Sequence, residues 1–331
     1  MKWGLIGAST IAAEHMIPAF RAHGDEIVWV ASGNADHAHR YATTHGIGQS
    51  FGTLEAALAA GGIDAVYISS TNEKHASQAH AAIEAGLHVL CEKPLAMSIA
   101  EASGMVVAAR QAGVVFATNH HLRCSGSHRA IRDLIVAGTL GRLLSVRVHH
   151  AVYLPPHLQG WRINDASAGG GVIPDITVHD ADTVRFLLGE DPVAVVAQAG
   201  VSGMGQGVED SVMSVWTMPS GVMVSSHESF THPFAGSGLQ VHGSKGSVFA
   251  RDIMTQQPIG EIELVTESGR RSVPFSKHNL YVEGVRMFRE AGAGRGRPAA
   301  TGEDGIKSLE VAFAVREAAR HGQRIAVEYG V

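Results

Sequence analysis

A lysine and a carboxylate lie side by side where a strand is expected to end. Residues 91–95 read CEKPL and follow an apolar run, and Pro94 cannot extend a strand ladder. In open α/β sheets, ligands bind at the carboxyl ends of the strands. Lys93 can stay charged beside Glu92 and act on a substrate oxygen. The alternative, which this segment alone leaves open, is an ordinary solvated strand end.

A second pair of residues suited to acid–base chemistry follows three consecutive glycines. Residues 169–180 read GGGVIPDITVHD, and Pro174 predicts a helix start. Asp175 and His179 are four residues apart, so they share one face of that helix. An imidazole is suited to proton transfer near neutral pH, and a nearby carboxylate can orient it. Two alternatives stay open: a metal site, for which no third ligand is indicated, and a core-facing pair bonded to the backbone.

A glycine turn near the N-terminus has the context of a dinucleotide fingerprint. Residues 7–12 read GASTIA and connect a predicted strand to a predicted helix. Gly7 can make the tight turn and Ala12 is small enough for close packing, but Ser9 replaces the middle glycine. The helix N-terminus still offers N–H groups and a positive dipole end to a phosphate. A plain strand-to-helix turn is the alternative.

The end of the second strand bears on the choice between NAD(H) and NADP(H). NAD enzymes carry Asp or Glu there for the ribose 2′-hydroxyl, whereas residues 30–34 read VASGN. Ser32 does not repel a 2′-phosphate, and His37 and Arg40 supply nearby basic groups. The sequence therefore predicts NADP(H), with NAD(H) as a weaker alternative. The competing interpretation is that these are solvated surface residues.

Trp161 and Arg162 stand just ahead of the triglycine. A flat indole followed by a fixed cation would suit the wall of a sugar or cofactor pocket. Most of the 20 histidines show no metal-type spacing, so no metal site is predicted from them.

The pattern of elements predicts two domains. Up to about residue 120, β-type runs alternate with Ala-rich helical stretches, which is typical of a parallel sheet covered on both faces by helices. Beyond it, strands follow one another with few helices. We therefore expect an α/β chain with an N-terminal doubly wound Rossmann domain (1–120) and a C-terminal α+β domain (121–331) on an open, mostly antiparallel, mixed sheet. The first-half strands are expected at 3–6, 27–31, 65–69, 88–90 and 114–117, alternating with helices at 11–21, 35–44, 54–60, 76–85 and 100–111.

Composition excludes several classes of partner. The chain has 331 residues and a formal net charge of -5, without a basic block, so a nucleic-acid partner has no electrostatic support. The two cysteines, Cys91 and Cys124, form neither a metal-type pair nor a secreted framework. No apolar stretch reaches the ~18 residues needed to span a bilayer. We expect a soluble cytoplasmic protein with a small-molecule partner and no membrane partner.

Taken together, these motifs resemble the glucose-fructose oxidoreductase and inositol dehydrogenase (Gfo/Idh/MocA) family. The features that carry the resemblance are the glycine turn, residues 72–75, the Glu-Lys-Pro run, and the triglycine followed by Asp175 and His179. It covers essentially the whole chain and is closer at 3–12, 89–96, 118–122, 151–162 and 169–182. Those segments are similar to family members that reduce a ketone of a cyclic sugar derivative with NADPH.

The resemblance also implies roles for individual residues. It implies His179 as proton donor, Lys93 as the group that stabilises the developing alkoxide, and Asp175 as the residue that orients His179 or binds a substrate hydroxyl. His37 stands where a close relative has an arginine for the 2′-phosphate, which weakens the NADPH preference or transfers it to Arg40, and Thr71 stands where the family often has proline. The implied cofactor-binding residues are Gly7, Ser9, Thr10, Ile11, Ala12, Ser32, Gly33, His37, Arg40, Ser70, Thr71, Asn72, His75, Glu92, Lys93, Asn119, Trp161, Arg162 and Tyr281.

Two other functions stay open at the level of sequence. One is an NAD(P)-dependent dehydrogenase of another cyclic polyol or sugar, such as inositol or glucose, because the loops that read the substrate's hydroxyl pattern are not visible in a sequence. The other is a dinucleotide-sensing regulator without catalysis, which would have no need of Lys93, Asp175 and His179 together. Whether the protein is a monomer or a homo-oligomer is undecided.

Overall fold

The fold is that of a computed structural model, which describes residues 1–330. The described residues divide into two compact units: 1–121 with 281–306, and 122–280 with 307–330. The sequence-based division placed the whole of 121–331 in the second domain, whereas residues 281–306 return to the first unit. In the described residues, no helix is both long and apolar enough to cross a membrane.

The first unit contains a parallel sheet that, among the described residues, has six strands in the order β3-β2-β1-β4-β5-β6. This order is that of dinucleotide-binding α/β folds, and it confirms the predicted fold class. The strands are β1 (Lys2–Ile6), β2 (Glu26–Ala31), β3 (Gln49–Phe51), β4 (Ala65–Ile68), β5 (His88–Cys91) and β6 (Phe116–Thr118).

The register of this sheet aligns the ends of its strands. Ile68 of β4 pairs with Ile6 on one side and with Cys91 on the other, and the pairing continues to Ala31 and Thr118. The segments that follow these residues therefore leave the same edge of the sheet. Those segments begin at residues 7, 32, 69, 92 and 119, where the sequence predicted the cofactor-binding residues.

Side-chain caps and glycines set the ends of the helices in the first unit. Asn34, Thr53 and Ser98 each accept a hydrogen bond from an N–H group in the first turn of the helix that they precede. Gly46 and Gly113 end two helices in the left-handed conformation, which is the usual helix end for glycine. The helices are α1 (Ile17–Ala22), α2 (Ala35–His45), α3 (Leu54–Ala60), α4 (His75–Glu84) and α5 (Ile99–Ala112), with one π turn (Ala12–Met16) directly before α1.

The second unit is built on a mixed sheet, which in the described part of the chain has nine strands ordered β14-β13-β12-β11-β7-β10-β9-β8-β15. β7 and β10 are parallel and the other pairings are antiparallel, as expected for an α+β domain. The strands are β7 (Leu143–Ala151), β8 (Ala194–Gly200), β9 (Ser211–Thr217), β10 (Met223–Ser229), β11 (Gly238–Gly243), β12 (Gly246–Arg251), β13 (Glu261–Thr266), β14 (Gly269–Ser272) and β15 (Ile325–Ala326).

The remaining helices include two that the sequence interpretation did not contain. The helix predicted to start at Pro174 begins one residue earlier, as a π turn (Ile173–Thr177) that continues into α8. Not anticipated were α7, which Gly160 interrupts with non-helical φ and ψ angles, and α9. The helices are α6 (Gly126–Val136), α7 (Pro156–Asn164), α8 (Val178–Leu188), α9 (Leu280–Gly292) and α10 (Gly302–His321).

Candidate active-site residues in the two units

The glycine turn after β1 approaches the end of β4 closely. Gly7 has a φ of 109°, and a Cβ at this position would lie 2.8 Å from the main chain of Ser69 and Ser70. Only glycine suits this combination of conformation and space. The turn therefore packs its main chain directly against the main chain at the end of β4.

Ser9 occupies the position where the fingerprint normally has glycine, and its side chain is engaged locally. Its hydroxyl lies 2.7 Å from the hydroxyl of Ser69 and accepts the N–H of Ala12 at 3.2 Å. The phenol of Tyr41 donates to the Ser9 carbonyl at 2.9 Å, and burial raises the pKa of that phenol. Ala12 is fully buried and packs closely. Its N–H donates to the Ser9 hydroxyl. Thr10 lies at this turn and is exposed, and Ile11 directly precedes the π turn.

The segment after β2 and the first turns of α2 present neutral groups, the basic His37 and Arg40, and the acidic Asp36 to solvent. Asn34 caps α2 by accepting the N–H of His37 at 2.9 Å, which fixes the start of the helix. His37, Arg40 and Gly33 are exposed, and Ser32 is half-buried. These residues are open to an anionic ligand, and no carboxylate stands among residues 30–34.

The segment after β4 is tied to the segment after β5 by His75. The two ring nitrogens of His75 lie 2.9 Å from the Pro94 carbonyl and 3.2 Å from the Ser70 carbonyl, and the ring is fully buried. Burial lowers the pKa of His75, which favours the neutral imidazole. In this conformation His75 joins two main-chain segments. Thr71 bonds to Glu73 at 2.6 Å, and Asn72 is buried.

Glu92 is held by donors from two neighbouring strands. Tyr67 of β4 and Asn119, which follows β6, each place a donor 2.6 Å from its Oε1. Burial raises the pKa of Glu92, although both donors and Lys93 favour the ionised form. Lys93 itself is half-buried, and its peptide bond with Pro94 is cis. The structure thus fixes the carboxylate next to the predicted catalytic lysine.

Tyr281 lies between two imidazoles of the first unit. Its ring stacks on His15 at 4.7 Å and on His121 at 5.0 Å between centroids, and only 2 % of the residue is exposed. Tyr281, a predicted cofactor contact, is therefore largely covered by protein.

The predicted residues of the second unit gather around one ion pair. Arg162 Nε lies 3.6 Å from Asp175 Oδ1, and the Arg162 guanidinium lies 4.6 Å from the centre of the Trp161 ring. Asp175 is in the π turn and His179 is the second residue of α8, and π turns occur frequently at functional sites. His179 is 8 % exposed. The structure therefore brings Trp161, Arg162 and Asp175 together, an association that the sequence did not predict.

Two of the three glycines before this helix are explained by close contacts. A Cβ on Gly170 would lie 2.6 Å from the Trp161 carbonyl, and one on Gly171 would overlap the carboxylate of Glu209. The triglycine therefore allows the helix start to pack tightly on its neighbours.

Sequence reasoning missed several polar residues around these sites. Tyr67 and Ser69 lie in an apolar strand run, where they were interpreted as strand formers. No local signal marked three of the acids, because they are far apart in the chain or lack a motif: Asp180, Glu209 and Glu228. Across residues 1–330, no group of three His, Cys, Asp or Glu side chains is arranged to hold a metal ion.

Comparison with known proteins assigns both units to known domain types. A model of the oxidoreductase family with an NAD-binding Rossmann fold matches residues 1–120. A model of the GFO/IDH/MocA C-terminal domain matches residues 128–249.

Individual relatives match over the whole chain. A 1,5-anhydro-D-fructose reductase from Ensifer adhaerens is 52% identical over 331 residues, which cover 100% of this chain and 99% of the relative. A D-xylose 1-dehydrogenase (NADP(+)) from Haloferax volcanii is 29% identical over 99% of this chain and 100% of its own. The crystal structure of an aldose-aldose oxidoreductase from Caulobacter crescentus superimposes with a TM-score of 0.90 at 25% identity, covering 98% of this chain and 99% of that one.

Proposed function

This chain belongs to the GFO/IDH/MocA family of oxidoreductases, and we propose that it reduces the C2 ketone of 1,5-anhydro-D-fructose to 1,5-anhydro-D-mannitol with NADPH. The observation that carries the proposal is the 52% identity to a 1,5-anhydro-D-fructose reductase, which extends over the full length of the chain. The match therefore spans both the Rossmann domain and the mixed-sheet domain.

The cofactor proposal rests on the first unit. We propose that the pyrophosphate binds beside Ser9 and Thr10, where Gly7 makes the tight turn and the helical segment that follows can offer main-chain N–H groups. Glu92 and Asn119, fixed by hydrogen bonds at the same edge of the sheet, would bind on the ribose and nicotinamide side. Trp161, Arg162 and Tyr281 are the further cofactor contacts that we propose.

The preference for NADPH rests on the segment after β2. Ser32 presents a hydroxyl where NAD enzymes have a carboxylate, and the exposed Arg40 and His37 can approach a 2′-phosphate. One charge-assisted hydrogen bond to phosphate contributes about 1.5–3 kcal/mol, which is roughly ten- to a hundredfold in selectivity. Since His37 stands where a close relative has an arginine for the 2′-phosphate, we propose that NADH is used as well, but less efficiently.

The chemical step needs a proton donor and a group that stabilises negative charge. When bound, a reduced nicotinamide supplies the hydride to the substrate carbonyl carbon. The electron pair of the breaking C=O π bond moves to oxygen, and we propose that this oxygen takes its proton from the imidazolium of His179. Lys93 would stabilise the charge on the same oxygen until the proton has moved.

Asp175 has a supporting role in the proposed reaction. Its pairing with Arg162 keeps the carboxylate in a fixed place in the first turn of the helix that carries His179. From there it can orient the imidazole or accept a hydrogen bond from a substrate hydroxyl.

The proposal is tested by following the loss of NADPH absorbance with 1,5-anhydro-D-fructose, beside an NADH series and a panel of inositols and aldoses. Saturable NADPH oxidation with this ketose, at a kcat/KM well above that for the other substrates, is the expected result. Turnover of a polyol or an aldose instead would keep the family and replace the substrate. Binding of NADPH without turnover of any compound would show a dinucleotide-binding protein without catalysis.

A further inference from the structure

The connection between β8 and β9, residues 201–210, is organised by one buried carboxylate. Asp210 Oδ2 accepts the main-chain N–H groups of Gly203, Met204 and Gly205 at 2.7–3.1 Å. Its Oδ1 accepts both the N–H and the hydroxyl of Ser202, at 2.7 and 2.8 Å. These bonds lower the pKa of Asp210 although the residue is fully buried, so it is a carboxylate at neutral pH. Asp210 therefore holds the segment through main-chain N–H groups.

This segment forms hydrogen bonds with two other parts of the second unit. The N–H of Gln206 donates to the carbonyl of Ile163 in α7 at 2.7 Å. The carboxylate of Glu209 accepts the N–H of Ile173 at 3.2 Å, and its carbonyl accepts the N–H of Val172 at 3.0 Å. Glu209 thus supplies an acceptor to the N-terminus of the π turn, where main-chain N–H groups lack helical partners.

The two parts that this segment holds carry the two members of one ion pair. Arg162 directly precedes Ile163, and Asp175 lies two residues after Ile173. Their side chains approach to 3.6 Å between Nε and Oδ1. Hydrogen bonds from residues 206 and 209 therefore hold both stretches, which are also joined directly by the bond from the Gly171 N–H to the Arg162 carbonyl at 2.8 Å.

We propose that Glu209 and Asp210 are positioning residues for the reaction. Asp210 folds the 201–210 segment, and through it Glu209 and the Gln206 N–H fix the spacing between Arg162 and Asp175. This inference rests on the proposed function, in which Asp175 orients His179 or binds a substrate hydroxyl. A misplacement of about 1 Å away from the reacting atoms can cost on the order of a hundredfold in rate, so such a device has kinetic consequences.

A double-mutant cycle separates positioning from general destabilisation. Glu209→Ala should lower kcat by about ten- to a hundredfold while the Kd for NADPH stays the same, and Glu209→Gln, which keeps an acceptor oxygen, should restore most of it. If Glu209 acts through Asp175, the Glu209→Ala/Asp175→Asn double variant should be no slower than Asp175→Asn alone. Glu267→Ala, at an exposed glutamate in the β13–β14 turn, is the control. Losses that multiply in the double variant, or no rescue by glutamine, would overturn the proposal.

Hydrogen exchange tests the same link without turnover. Asp210→Asn should accelerate exchange of peptides covering 161–164 and 171–176 together, and leave those of β12 and β13 unchanged. If wild-type protein turns over no ketose, the proposed function fails but this readout still decides the positioning claim. If another substrate is turned over, the cycle is run with that substrate. Unchanged exchange in both peptides would show that Asp210 is not a positioning residue. If Asp210→Asn does not fold, exchange of the 171–176 peptide in Glu209→Ala decides whether Glu209 positions that stretch.

Discussion

Tyr67 donates its phenolic hydroxyl to Glu92 Oε1 at 2.6 Å in the interior of the first unit. Asn119 donates to the same oxygen, so the carboxylate next to Lys93 is oriented from both neighbouring strands. Burial raises the pKa of Tyr67 as well as that of Glu92. Replacing Tyr67 by phenylalanine removes this bond with little change in the shape of the side chain.

Tyr67→Phe should lower the free energy of unfolding by about 1–3 kcal/mol, because it deletes one buried hydrogen bond to an ionisable acceptor. Urea denaturation measures the change, and Tyr153→Phe, at an exposed tyrosine, is the matched control. Equal unfolding midpoints and slopes for the two variants would show that the Tyr67–Glu92 bond adds nothing to stability.

His179→Ala should lower kcat by about 10²- to 10⁴-fold, because a positioned acid contributes that much, while the Kd for NADPH stays unchanged. Lys93→Met should also lose activity. His321→Ala, at an exposed histidine in the last turn of α10, should retain wild-type rates. Near wild-type turnover by both the His179 and Lys93 variants would transfer the proton-donor role to Asp175 or to a water relay.

Ser32→Asp should raise the KM for NADPH about tenfold or more and change the KM for NADH much less. The new carboxylate would repel the 2′-phosphate and could bind the ribose 2′-hydroxyl. Steady-state kinetics with both cofactors measure the ratio. Ser77→Asp adds the same charge at an exposed position of α4 and should leave it unchanged. An unaltered preference in Ser32→Asp would show that this residue does not lie at the 2′-position.

Gly171→Ala should destabilise the protein more than Gly269→Ala does. The two glycines have nearly the same φ, 112° and 110°, so the backbone strain of about 1–3 kcal/mol is common to both. A Cβ at position 171 overlaps the Glu209 carboxylate, whereas one at 269 meets no atom within 4 Å. The difference between their free energies of unfolding therefore measures the contact with Glu209. Equal losses would mean that Glu209 moves aside freely.

Two buried acids, Asp180 in α8 and Glu228 in β10, should make the free energy of unfolding depend on pH. Asp180 and Glu228 are both fully buried, Ser226 donates to Glu228, and His150 lies 2.8 Å from Asp180. Burial raises the pKa of Glu228 well above its ordinary value of 4.5, and the adjacent Asp180 raises it further. The folded protein therefore binds a proton that the unfolded chain releases above that value.

The resulting contribution of Glu228 is complete below pH 4.5 and is lost as the pH rises through the raised pKa. Glu228→Gln keeps the volume and a donor but cannot titrate. The stability of wild type relative to Glu228→Gln, measured by urea denaturation, should therefore fall as the pH rises above 4.5. Parallel pH curves for the two proteins would show that Glu228 does not hold the proton. Glu267→Gln should run parallel to wild type throughout.

Local sequence signals predicted the strands and helices that position the first site, because alternating apolar runs and capping residues act over short distances. β3 escaped notice because three polar and aromatic residues at a sheet edge carry little pattern. α7 escaped because prolines and Gly160 interrupt it. The apolar residues of α9 do fall at helical spacing (Leu280, Tyr281, Val285, Phe288), so that signal was present in the sequence.

The pairings of functional side chains divide in the same way, into those that a local sequence signal reveals and those that it does not. The spacing of Asp175 and His179, four apart, was visible in one segment. The contacts of Glu209 with Gly171 and of Tyr67 with Glu92 join residues 38 and 25 positions apart and have no motif. Side chains that act across such separations are specified by packing, which a single sequence does not display.

The way Asp210 binds its segment has a consequence for how this part of the chain can evolve. Because the carboxylate holds main-chain N–H groups, the side chain of Met204 contributes little to the shape of the turn, whereas Gly203, with a φ of 133°, is at a position that favours glycine. Position 204 can therefore diverge as substrates diverge, while the loss of the one aspartate would release the whole segment. Exchanges that retune the enzyme should accumulate at 204 among functional homologues, with glycine retained at 203 and an acid at 210.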